Sequence, residues 1–262
     1  MKAVSLIVLV QLAVFSAPGV GWAGDASPAV PSTTASPHDP ASIDCPLHAA
    51  GVNPAGLKPF EDTEKYIAFL ERPDRASWQR PDAVVAALGL KGSETVADIG
   101  AGSGYFSFRF AKVLPKGKVL AIDIEPEMVR HVHHKAMTES ILNVQAILAT
   151  PDDPKVPLQA DLVFICDVLH HVPNREVWLA RLFGEMREGA QLVVVEFKEG
   201  KLPEGPPEAL KISRAKLVAL LEMTGLVLAS EQPKLLPYQT FLVFNKPVRK
   251  TVSPAARSGT GK

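Results

Sequence analysis

Between residues 83 and 244 the apolar and polar positions alternate in a way that predicts strands and helices in turn. Short apolar runs bounded by turn residues fall at Val96–Ile99, Lys118–Asp123, Asn143–Leu148, Asp161–Asp167 and Gln191–Phe197, and each reads as a strand. Amphipathic stretches lie between them, most clearly Met128–Ser140 and Glu176–Met186, and Gly189 closes the second. The run Asp161–Asp167 shows no polar alternation, so it predicts a central strand covered on both faces. A helix capped by Ser213 runs through Met223 to Gly225, and Leu226–Glu231 and Tyr238–Phe244 then read as an antiparallel finish. Ahead of the first strand, Glu61–Leu70 places Tyr66, Phe69 and Leu70 on one side of a helix that ends at Glu71–Pro73. Pro81-Asp82 opens a second helix, Ala83–Leu88, stopped by Gly89. From residue 83 the predicted order is α-β-α-β-α-β-α-β-α-β-α-β-β, although residues 149–158 themselves read as a loop.

The two ends carry different patterns. Lys2 followed by the apolar run Ala3–Phe15, a Pro18-Gly19 break and the small residues of Gly21-Trp22-Ala23 predict a signal peptide over residues 1–23, cleaved after Ala23. The same segment without cleavage would be an anchor, since Ala3–Gly24 has no charge. Either way the expected location is outside the cytoplasm, in a bacterial periplasm, with no stable membrane association once the signal is removed. Residues 24–58 are rich in Pro, Ala and Ser without a hydrophobic period and read as a disordered linker, and 246–262 as a disordered tail. The folded domain is thus expected over residues 59–245.

With 262 residues, 47% of them hydrophobic, the chain can bury one sizeable core. Lys+Arg and Asp+Glu both total 28, so no net basic field points to nucleic acid. Of the two cysteines, Cys166 lies in a strand and Cys45 in the linker, which argues against a disulfide between them. Cys45 with His48 is at most half a metal site, and His131, His133 and His134 read as a helix surface, so no metal centre is expected.

The candidate chemistry sits where the first strand ends. Asp98-Ile99-Gly100-Ala101-Gly102-Ser103-Gly104-Tyr105 is a strand tip followed by a glycine turn. Glycine lets a backbone turn sharply and lie against a ligand. The spacing departs from the G-x-G-x-x-G of dinucleotide folds, because Tyr105 occupies the third glycine's place. An acid before the turn suits a ligand with a positive amino group better than a pyrophosphate. Asp123 closes the second strand, where an acid can accept hydrogen bonds from ribose hydroxyls. Asp167, His170 and His171 follow the fourth strand, on the side where open α/β sheets bind ligands.

Asp98–Phe106, D-I-G-A-G-S-G-Y-F, resembles the first motif of the class I S-adenosylmethionine-dependent methyltransferases. Asp167–Val172, D-V-L-H-H-V, is similar to the segment after the fourth strand in methyltransferases related to ubiquinone and menaquinone biosynthesis enzymes and arsenite methyltransferases. The resemblance implies a Rossmann-like α/β fold: a seven-stranded, mostly parallel sheet with helices on both faces and the last strand antiparallel. It implies S-adenosylmethionine as cofactor and a small-molecule acceptor. Asp98 would hold the methionine amino group, while Gly100, Ala101, Gly102 and Gly104 line the methionine part. Asp123, with Ile124 beside it, would bind the ribose, and Asp152, or alternatively Asp153, would meet the adenine amino group. Asp167 would face the transfer site, with His170 or His171 as general base and Glu196 facing the substrate. The helices before the first strand would cover the cofactor or simply pack on the sheet, and the loop Lys198–Leu210 fits a lid. Arsenite needs several thiolates, which two separated cysteines do not supply. An exported protein that binds the cofactor or another nucleoside without transfer is the competing expectation.

Overall fold

The computed structural model describes residues 46–52 and 60–249. The signal segment, Cys45, the rest of the linker and residues 250–262 lie outside the described residues. Seven strands, β1 (Thr95–Ile99), β2 (Lys118–Asp123), β3 (Val144–Leu148), β4 (Leu162–Cys166), β5 (Gln191–Phe197), β6 (Val227–Glu231) and β7 (Gln239–Asn245), form one sheet in the order β3-β2-β1-β4-β5-β7-β6. The first five pair in parallel, and β7 runs antiparallel to both β5 and β6.

The helices are α1 (Pro46–Ala49), α2 (Phe60–Leu70), α3 (Arg75–Gln79), α4 (Pro81–Ala87), α5 (Ser107–Val113), α6 (Pro126–Thr138), α7 (Arg175–Glu185) and α8 (Arg214–Glu222). They cover both faces of the sheet, so the central strands alternate between two apolar cores instead of between core and water. Ile99, Ile165 and Val194 face Leu179 and Leu182 of α7 and Leu217 and Leu221 of α8. Val96, Phe164 and Val195 face Val84 of α4 and Phe106 and Phe110, the latter on α5. A smaller core joins Ala121 and Ala146 to Val129 and Val132 of α6. The Ser213 side chain accepts from the Lys216 N–H at 3.1 Å and caps α8 as predicted.

Three features differ from the sequence-based expectation. No helix joins β3 to β4. Pro151, Pro154 and Pro157 interrupt that connection, and a Thr150–Asp153 bridge turns it. The stretch read as linker contains α1, whose Leu47 is fully buried in the small core with Phe108 and Val132. Finally, α3 stands where the sequence suggested only a helix end. Arg80, at φ 44°, turns the chain directly from α3 into α4, which Pro81 opens.

The register sets up the site. Ile99 lies between Ile122 of β2 and Ile165 of β4, so these strands end at one level. The segments that follow them, 100–105, 123–125 and 167–171, therefore emerge along one edge of the sheet.

Candidate functional site

The glycine turn is built for close packing. Gly100 and Gly104 have φ of 70° and 80°, a region costly for residues with a Cβ. A Cβ on Gly100 would stand 2.3 Å from Val168 Cγ2, and one on Gly104 2.6 Å from the Phe108 ring. Gly102, at φ 54°, has Leu70 of α2 as its near neighbour, at 3.3 Å from a notional Cβ. The backbone N–H groups of Gly100 and Ala101 both donate to the Ile122 carbonyl, at 2.8 and 3.1 Å, which folds the turn back over β2. Helix α5 begins only at Ser107, three residues past Gly104.

Two acids meet at this turn. Asp98 is 3% exposed, and its carboxylate accepts from Ser107 Oγ at 2.5 Å. Burial pushes its pKa up to about 7 against the lowering effect of Ser107, and the nearby Asp123 charge raises it further. Asp123 accepts from the Gly102 N–H at 2.7 Å and the Glu125 N–H at 2.9 Å. Its pKa too is raised by burial, against those backbone hydrogen bonds. Asp123 thereby clamps the turn to the start of α6. Ala101 is buried beside it and Ile124 is exposed. Tyr66 of α2 also feels Asp123: partial burial, then the charges of Asp123 and Glu125, raise its phenol. Helix α2 thus lies over the cleft.

Asp152 is exposed on the β3–β4 connection. The alternative, Asp153, is committed elsewhere: it accepts from the Lys155 N–H at 2.9 Å and pairs with Arg181 at 2.8 Å.

The end of β4 holds the second cluster. Asp167 has φ 59°, a conformation that non-glycine residues seldom adopt and that marks functional sites. Gln79 Nε2 donates to its carboxylate at 3.0 Å and Gln239 Nε2 at 2.7 and 2.8 Å. Burial first, and the Glu196 charge second, push its pKa up to about 6. His170 is 6% exposed, with Nδ1 at 2.9 Å from Glu196 Oε2. Glu196 Oε1 accepts from the Leu169 N–H at 2.6 Å. Glu196 therefore does not face a substrate; both of its oxygens hold the segment after β4, because the alternation of β5 turns residue 196 toward the α7–α8 face. His171 is exposed, its ring 4.1 Å from that of His170, and partial desolvation and then the His170 charge lower its pKa. The Cys166 thiol is pushed well up by burial and then by Asp167, so it is an inert thiol.

The sequence reading missed Arg75, Gln79 and Gln239. Arg75 lies over the Tyr105 ring at 4.0 Å and donates to Gln79 Oε1 and the Leu70 carbonyl. Its charge reaches both Asp98 and Asp167 and lowers each. For Arg75 and Gln79 the signal was the density of Arg, Trp and Gln between Pro73 and Pro81, too polar for a packed helix end; Gln239 carried none. Ser103 Oγ and Tyr105 OH, both in the turn, are buried without a hydrogen-bond partner. Such orphaned groups beside a glycine cradle suit a polar ligand. Among the described residues no group of three or more His, Cys, Asp or Glu could hold a metal ion, and no helix is long and apolar enough to cross a membrane.

Residues 97–192, from β1 to the start of β5, match a family model described as a methyltransferase domain. An uncharacterized methyltransferase of Mycobacterium bovis is 30% identical over 124 residues, covering 47% of this chain and 61% of that protein. A ubiquinone/menaquinone biosynthesis C-methyltransferase of Hydrogenovibrio crunogenus is 30% identical over 129 residues, covering 48% of this chain and 50% of that protein. The chain thus spans between half and two thirds of the length of these relatives. The crystal structure of a SAM-dependent methyltransferase from Aquifex aeolicus superposes with a TM-score of 0.65 at 25% identity, covering 70% of this chain and 97% of that one. The Rossmann-like sheet, parallel except for its antiparallel β7, is the fold of that enzyme.

Proposed function

We propose that the chain transfers a methyl group from S-adenosylmethionine to a small organic acceptor, and does so in the bacterial periplasm after removal of residues 1–23. The observation that carries the reading is Asp98: a buried carboxyl at the tip of β1, held by a neutral hydroxyl, beside a glycine turn clamped by Asp123. The matched methyltransferase-domain model spans these same residues, and the Aquifex enzyme shares the sheet on which they stand.

Bound S-adenosylmethionine supplies a methyl group already activated by a positively charged sulfur. Asp98 accepts the amino group, and Arg75, whose charge already reaches Asp98, takes the carboxylate. Gly100, Ala101, Gly102 and Gly104 let the backbone approach the ligand, with Asp123 and Ile124 at the ribose and Asp152 at the adenine. Asp167 faces the acceptor. His170 takes the acceptor's proton at Nε2, because the Glu196 carboxylate holds the proton of the other ring nitrogen, Nδ1. Water is kept out by α2 and by the loop from Lys198 to Leu210, which a pair between Arg72 and Glu204 ties to the segment after α2.

Calorimetric titration of the mature chain with S-adenosylmethionine and S-adenosylhomocysteine tests the reading. Micromolar binding of both is expected; a folded chain that binds neither overturns it. Location is tested by mass spectrometry of native material, where a periplasmic chain starting at Gly24 is expected and an intact Met1 in the cytoplasm refutes export.

A further inference from the structure

Beside Asp167 the structure gathers aromatic side chains that the cofactor does not require. Trp78 of α3 meets the ring of Phe197, at the end of β5, at 5.7 Å and that of Tyr238, just before β7, at 6.4 Å. The neighbours of two of these rings reach the site acid, since Gln79 follows Trp78 and Gln239 follows Tyr238, and both donate to Asp167. Phe197 and Gln239 are paired across β5 and β7. The three rings therefore adjoin the carboxylate at one corner of the sheet edge.

This corner contains an orphaned donor and an orphaned acceptor. Nε1 of Trp78 and Oε1 of the fully buried Gln239 have no hydrogen-bond partner. Buried polar atoms are rarely left so, and a hydroxyl group, which both accepts and donates, is matched to such a pair. The outside is closed by one clasp. Arg72 lies over Trp78 at 5.7 Å and over Phe69 at 4.9 Å while it pairs with Glu204 of the β5–α8 loop. In the same loop Gly205 approaches so near that a Cβ there would stand 2.5 Å from the Phe197 ring. With Arg72 paired to Glu204, the corner presents rings and carboxamides around the Asp167 carboxylate, a combination that disfavours an anionic ligand.

We propose that this corner is the acceptor pocket and that the acceptor is a small, uncharged, planar aromatic carrying a hydroxyl group. The inference rests on the methyl-transfer reading and deepens it. Aromatic walls favour a ring through offset stacking and tilted contacts, and an aliphatic alcohol forgoes that contribution. Polar atoms placed among apolar walls then fix the ring's orientation.

The test is calorimetry on the full mature chain saturated with S-adenosylhomocysteine. The probes are catechol, cyclohexane-1,2-diol as hydroxyls without the aromatic ring, and anisole as the ring without a hydroxyl. Saturable catechol binding is expected, with the other two at least tenfold weaker. Trp78→Ala should weaken catechol at least tenfold and leave S-adenosylhomocysteine affinity within twofold, and Gln239→Met should also weaken catechol at least tenfold. If Gln239→Met does not fold, Tyr238→Ala reads the same wall with the Asp167 clamp intact. A chain that binds S-adenosylhomocysteine but no catechol, or that binds the cyclic diol as tightly, overturns the aromatic acceptor and leaves the cofactor reading standing. A folded chain that does not bind S-adenosylhomocysteine brings down the cofactor reading and this inference with it.

Discussion

Replacing Asp98 with Asn should stabilise the protein and abolish its function. In the folded chain the carboxyl is held at about 7 against an ordinary value of 3.8. At ~1.36 kcal/mol per pH unit that displacement corresponds to about 4 kcal/mol. The sign follows from proton counting. Below the unfolded value both states keep the proton and Asp98 adds nothing. As pH rises from about 4 to about 7 the unfolded chain releases its proton first, so folding loses stability, and above 7 the loss stays constant. An Asn at the same place cannot titrate. It still accepts from Ser107, and its buried amide costs about 1–3 kcal/mol if unpaired. Asp98→Asn should therefore be more stable than wild type by about 1–3 kcal/mol near pH 8, and the gap between the two should change by about 4 kcal/mol between about pH 4 and pH 8. The other titrating groups cancel in that difference apart from Asp123, whose charge couples to Asp98. Urea unfolding at the two pH values measures the gap, and calorimetry with S-adenosylhomocysteine reads the lost function. A gap independent of pH would refute the argument, because Asp98 would then titrate in the folded chain as it does in the unfolded one.

Three further outcomes follow from the same geometry. Gly100→Ala puts a Cβ at φ 70° and 2.3 Å from Val168 Cγ2, so it should cost about 1–3 kcal/mol in urea unfolding, and an unchanged midpoint would contradict the packing of the turn. Asp123→Ala should weaken S-adenosylhomocysteine by about 1–3 kcal/mol, roughly fivefold to 150-fold; unaltered affinity would sink the ribose assignment. Glu196→Gln presents an NH2 group to His170 Nδ1 and should move the imidazole proton to Nε2. Nitrogen-15 correlation spectra of the ring report the tautomer directly, and the same tautomer in both proteins would remove Glu196 as the residue that orients His170.

The parts of the site legible in the sequence are those fixed by backbone geometry. Gly100, Gly102 and Gly104 stand at a strand tip because φ above zero and a neighbouring side chain leave no room for a Cβ, and that requirement is written into residue type. Asp123 and Asp167 were legible because strand ends can be counted. What could not be read was contact between distant segments. Gln79 and Gln239 reach the same carboxylate from opposite ends of the domain, and a single glutamine carries no sign of its partner. Helix α3 was missed because five residues between Asp74 and Arg80 show no hydrophobic period. A helix between β3 and β4 was expected from the usual crossover between parallel strands, yet three prolines in that connection make an extended path easier than a helix. Glu196 was placed correctly on its strand and given the wrong neighbour, since strand position fixes a face but not what covers it.

The partners chosen by the acids separate structural carboxylates from those of the site. Asp161 pairs with Arg187, Asp153 with Arg181 at 2.8 Å and Glu231 with Arg214 at 2.7 Å, all at partly exposed positions on the sheet's connections or at a strand end. There a guanidinium neutralises the acid permanently and the pair can do no more than hold two segments together. Asp98, Asp123 and Asp167 are more deeply buried, where neutralisation would stabilise folding most, yet each is held by uncharged donors: a serine hydroxyl, two backbone N–H groups and two carboxamides. Neutral donors orient a carboxylate without cancelling its charge. Desolvation then raises all three acids, and the Arg75 charge offsets that in part at Asp98 and Asp167. Under the proposed reading, a positive amino group would be favoured at Asp98, while Asp123, oriented by backbone N–H groups, would meet neutral ribose hydroxyls.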